Sequence, residues 1–150
     1  MVMFYGDIPG GAPSQTPELV VASVASNGAA ATARVAFRAP QALVVDSIWW
    51  QPNTVAQATA SSDASYRRLT VLNGGQGGAG TTVIGSLNLT TSLQSMATRA
   101  FTLATVPASL KLAAGDTLIF SHATVGGDNA EGTVLRAGTL FVNYRPTSPR

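Results

Sequence analysis

Short extended runs dominate this chain. Stretches of eight to twelve residues rich in β-branched, aromatic and leucine side chains are cut by clusters of Gly, Pro, Asn and Asp. No segment of ten or more residues carries an apolar stripe at helical spacing. The runs are Glu18–Ser26, Ala31–Ala39, Leu43–Gln51, Tyr66–Asn73, Thr81–Thr90, Ala97–Val106, Thr117–Val125 and Thr133–Tyr144. Their rhythm predicts an all-β fold, an antiparallel β-sandwich of jelly-roll type with about eight strands. The expected organisation is an extended N-terminal arm at 1–17, the sandwich domain at 18–146 and a C-terminal tail at 147–150.

Details within the runs sharpen this. Ala31–Ala39 alternates, with Ala33, Val35 and Phe37 predicted on one face and Arg34, Ala36 and Arg38 on the other. Leu43–Gln51 is apolar on both faces apart from Asp46. Trp49 and Trp50 are neighbours in that strand and must point to opposite faces. One belongs to the core; the other is a candidate for a subunit contact. Asn53–Ser65 reads as a long loop of small polar residues. In Leu110–Val125, Gly115 suits a positive φ and Asp116 a bond to the backbone after it, which predicts a hairpin-like corner.

Residues 1–17 differ from the rest. Pro9, Pro13 and Pro17 withhold backbone donors, yet Val2, Met3, Phe4, Tyr5 and Ile8 form an apolar tip. Such an arm suits the gripping of a neighbouring subunit, or equally a fold-back onto its own sandwich. The segment has no basic n-region and no apolar core of about 7–15 residues, so no signal peptide is expected and synthesis in a cytoplasm is. Apolar stretches such as Ile48–Trp50 are too short to span a bilayer, and no membrane partner is expected.

Charged residues make up 11% of the chain, against roughly 25% in ordinary soluble domains. The surface is therefore either covered in an assembly or simply neutral. A net charge of +2 is too small to imply nucleic-acid binding. Eight of the nine basic residues are Arg, which suits planar recognition of carboxylates at protein interfaces. Arg67 and Arg68, with Arg99 and Arg136, are candidates for inter-subunit salt bridges to residues such as Asp46, Asp63 and Asp128.

Catalytic chemistry is not expected. There is one histidine, His122, no cysteine and no GxSxG elbow. Ser121 and His122 are strand neighbours that face opposite ways, so they do not make a pair. His122 reads as half-buried and satisfied by a backbone or Ser/Thr partner. Zinc would need further His or Cys ligands. Asp128, Asn129 and Glu131 offer hard oxygen ligands suited to calcium but lack its alternating loop spacing. Gly74–Gly80 has no Walker lysine and reads as a flexible hairpin tip. No cofactor is expected.

The turn in Leu112–Phe120 (LAAGDTLIF), the glycine-rich loop after it and the ending Val142-Asn143-Tyr144-Arg145-Pro146 resemble small β-sandwich proteins of tailed bacteriophages. The nearest likeness, over Glu18–Pro146, is to capsid decoration (cement) proteins with a jelly-roll fold. That resemblance implies a homotrimer on the outside of a phage head, bridging major capsid protein subunits against the pressure of packaged DNA. It also implies terminal arms that reach neighbouring capsomers, a role that residues 1–17 fit. No single residue carries over from the family. The alternative is a phage tail or fibre module binding carbohydrate, with Trp49, Trp50 or Tyr66 as stacking platform.

Overall fold

The computed structural model describes residues 18–20, 32–52, 60–62, 65–90, 97–126 and 138–147. In chain order the strands are β1 (Glu18–Val20), β2 (Thr32–Arg38), β3 (Leu43–Pro52), β4 (Ala60–Ser62), β5 (Ser65–Gly75), β6 (Thr82–Leu89), β7 (Arg99–Ala100), β8 (Thr102–Leu103), β9 (Lys111–Leu112), β10 (Thr117–Val125) and β11 (Gly138–Pro146). A 3-10 turn at Pro107–Leu110 precedes β9.

The strands form two antiparallel sheets. Sheet A runs β1-β11-β3, with β7 and β9 both paired to the far edge of β3. Sheet B runs β2-β10-β5-β6-β8, and β4 pairs with the start of β5. Alternating residues from both sheets turn inward to one core that includes Leu43, Val45, Ile48, Leu69, Leu118 and Leu140. Trp50 of β3 stacks on Phe120 of β10, and Phe37 of β2 on Tyr144 of β11, so aromatic pairs join the sheets at two points. The protein is therefore an all-β sandwich, as its strand rhythm predicts.

Local corrections follow from pairing that sequence alone does not reveal. The expected strand Ala97–Val106 breaks at Phe101, which is buried and whose N–H donates to the Ile48 carbonyl. Before it, β7 pairs with β3 of sheet A; after it, β8 pairs with β6 of sheet B. In β2, Leu118 pairs with Phe37 but Ile119 with Val35, leaving Ala36 as a bulge. The bulge reverses the alternation beyond it. Ala36 and Phe37 both pack on the core, whereas Val35 is 64% exposed. The predicted loop at Asn53–Ser65 contains the short strand β4.

Leu110–Val125 is a crossover corner rather than a hairpin. β9 pairs with β3 of sheet A and β10 with β2 and β5 of sheet B. Gly115 has φ +85°, a conformation that suits glycine. The Asp116 carboxylate bonds backward, accepting from the Ala113 N–H at 2.8 Å and from Asn73 Nδ2 at 3.2 Å. The Gly115 N–H donates to the Ala39 carbonyl, and the Ala39 N–H to the Asp116 carbonyl, which fastens the corner to the β2–β3 connection. Gln76 Nε2 donates to the Ala114 carbonyl, so the glycine-rich hairpin is tied to the same corner.

Candidate functional site

The inward residues of β3 and β11 leave their alternate neighbours on the outer face of sheet A. There Trp49 lies in register with Phe141 on one side and Ala100 on the other. Trp49 is 39% exposed, and Phe141 is half-buried. The indole Nε1 donates to Ser47 Oγ at 3.3 Å, and Asn143 Nδ2 donates to the same oxygen at 2.8 Å. Ser47 thereby fixes one edge of the indole and links β3 to β11. Beyond it, Arg145 Nε meets Asp46 Oδ1 at 3.3 Å. This ion pair is within the chain, so Asp46 is already occupied by a neighbour on its own sheet. The result is an outward aromatic centre flanked by a hydroxyl, an amide and a neutralised charge pair.

The interface candidates separate clearly. Val2, Met3, Phe4, Tyr5 and Ile8 lie outside the described residues, as do Asp63, Asp128, Asn129, Glu131 and Arg136. Trp49 is the outward tryptophan. Trp50 is fully buried, because strand alternation sends it into the core against Phe120, and it is not available to a partner. Arg67 is also withdrawn from the surface: it shares the inner face of β5 with Leu69 and Val71 and is 1% exposed. Arg68 is exposed on the outer face of sheet B, where it donates to Asn88 Oδ1 and to the Tyr66 hydroxyl. Arg99 is exposed beside Ala100.

His122 also departs from expectation. It is 1% exposed and faces Arg67, with Arg67 Nη1 3.0 Å from His122 Nδ1. A guanidinium has no acceptor, so His122 Nδ1 must accept and the ring proton must sit on Nε2. Burial holds the Arg67 guanidinium below its usual basicity. Thr124, directly opposite Arg67 on β10, has a buried Oγ1 with no partner among the described residues.

Sequence reasoning reached Trp49 but missed Ser47, Phe141 and Asn143. Ser47 was accessible in principle, being two residues from Trp49 on one strand. Phe141 and Asn143 depend on the β3–β11 register, which joins distant segments. Among the described residues no group of three or more His, Cys, Asp or Glu is placed to hold a metal ion, and no helix is long and apolar enough to cross a membrane. Comparison with known proteins gives no match to a family model, to a curated protein or to a solved structure.

Proposed function

We propose that this chain is a virion structural protein, a decoration protein that binds the outside of a phage head as a homotrimer and stabilises contacts between major capsid protein subunits. The observation that carries this reading is the outward Trp49, opposite Phe141 on the outer face of sheet A. A tryptophan on an otherwise hydrogen-bonded sheet face suits the buried centre of a protein contact. The strand orders β1-β11-β3-β7 and β2-β10-β5-β6-β8 set β1 beside β11 in one sheet and β2 beside β10 in the other, which supports a jelly roll. The resemblance in the Gly115-Asp116 corner and the Val142–Pro146 ending supplies the capsid context.

The test is to purify the protein, measure its mass in solution and mix it with phage heads that lack it. A trimer that binds and raises head stability is the expected outcome. A monomer that leaves the heads unchanged contradicts it.

A second reading has its own support. Ser47 and Asn143 set polar groups beside the Trp49 ring, an arrangement suited to a sugar stacked on the indole. Hits on a glycan array that vanish in Trp49→Ala favour this carbohydrate-binding module.

A further inference from the structure

We infer that the outer face of sheet B is a docking row for the chain's own N-terminal segment, with the apolar side chains between Val2 and Ile8 laid across Val35, Ile119, Leu72 and Val83. This inference is independent of the proposed function. The four row residues come from β2, β10, β5 and β6 and stand in register across the sheet. Leu118 and Phe120, on either side of Ile119, belong to the core, so Ile119 and the residues in register with it face outward. Ile119 is seated over Gly74, where a Cβ would lie 2.5 Å from Ile119 Cδ1. Val35 and Val83, at the two ends of the row, are 64% and 45% exposed. The next row, through Ser121, Thr70 and Ser86, consists of short uncharged side chains. A chain crossing here meets a low apolar floor with no bulky or charged group beside it on that flank.

The starting point of β1 selects the occupant. The chain passes from sheet A to sheet B at Phe101, between β7 and β8, so β1 and β2 are the edge strands on the opposite side of the sandwich. Glu18 pairs with Val142. Along β11, Val142 lies between Leu140, opposite the Trp50 that stacks on Phe120, and Tyr144, which stacks on Phe37. Phe120 and Phe37 in turn flank the level of Ile119 and Val35. The segment before Glu18 therefore leaves sheet A on the side and at the level of the Val35 end of the row. Ile8 and Glu18 are ten residues apart, which spans up to about 33 Å, while packed sheets lie about 10 Å apart. Pro9, Pro13 and Pro17 suit that stretch to an extended spacer. Val2 to Ile8 reaches about 20 Å when extended, and four strands span about 14 Å. Reach and apolar character both match. The outer face of sheet A fits less well, since Ser47, Asn143 and the Arg145–Asp46 pair set polar groups around Trp49.

The test is paramagnetic relaxation in the full chain. The protein has no cysteine, so a nitroxide on Asp7→Cys is a unique label that leaves the apolar side chains of the segment in place. Broadening of the methyl signals of Val35, Ile119, Leu72 and Val83 is expected, with Val44 on the outer face of sheet A spared. Val83→Asp, at an exposed position, is expected to reduce the broadening at the other three residues severalfold while the core signal of Leu140 stays in place. Phe4→Asp should do the same from the side of the segment, and it answers alone should Val83→Asp not fold. A sharp row, broadening at Val44 instead, or broadening unchanged by either substitution overturns the proposal. In a mixture of nitroxide-bearing chains with isotope-labelled chains that carry no nitroxide, the row should stay sharp. Broadening there means that the segment sits on a second copy, and it overturns the assignment to the chain's own face.

Discussion

Trp50 and Phe120 lie stacked between the two sheets, with ring centroids 5.2 Å apart and planes 10° from parallel. Trp50 belongs to β3 and Phe120 to β10, so the contact joins strands that share no hydrogen bond. It is positioned by Gly138, which faces Trp50 across the β3–β11 pair. A Cβ built on Gly138 would sit 2.2 Å from Trp50 Cζ2, so the indole fits only because that residue has no side chain.

Gly138→Ala should therefore be among the most damaging single-methyl changes in the chain. The ring must leave its place against Phe120 or the two strands must separate, a cost of about 3 kcal/mol. Urea denaturation should show a lower midpoint, and the near-ultraviolet tryptophan signal of the folded protein should change.

Trp50→Ala should cost about 3–5 kcal/mol through the cavity it leaves. Trp50→Phe should cost less than half as much. The buried Trp50 Nε1 has no partner among the described residues, so Phe deletes an unsatisfied donor while keeping an aromatic face for Phe120. Denaturation of the two variants under identical conditions checks the ratio.

At the corner, Asp116→Ala should destabilise by about 2 kcal/mol, since one carboxylate oxygen serves both the Ala113 N–H and Asn73 Nδ2. Asp116→Asn should recover much of the loss, because its amide oxygen can still accept. Thermal melts of the three proteins provide the comparison.

The Arg145–Asp46 ion pair should matter little. Its side chains are 57% and 34% exposed, and water screens much of their attraction. Arg145→Ala should change stability by less than about 0.5 kcal/mol, and 1 M salt should narrow even that difference.

The sequence made the strands legible wherever one strand serves one sheet. Leu43–Pro52 and Thr117–Val125 match their expected extents within a residue because a continuous β-branched and aromatic run ends at a real turn. It misled where the chain changes sheet without changing character. Phe101 continues the alternation of its run while the backbone passes from β3 to β6, and nothing local marks the transfer. Lys111–Leu112 and Thr117 flank a turn that looks like a hairpin, yet their partners are Val44–Leu43 and Gly75. Arg67 shows the same limit at the level of one side chain. Its charge suggests the surface, but it alternates in step with Leu69 and Val71, which puts it in the core, where it meets His122 of β10, a paired strand far away in sequence.

On the proposed function, the outer face of sheet A, centred on Trp49, docks the protein onto a capsid. Co-sedimentation of wild type and Trp49→Ala with phage heads lacking the protein tests this most directly. Trp49 is already 39% exposed, and its truncation should lower folding stability by only about 1 kcal/mol. Wild type should sediment with the heads, and the folded variant should bind at least about tenfold more weakly. Equal binding by the two proteins, or none by the wild type, contradicts the claim.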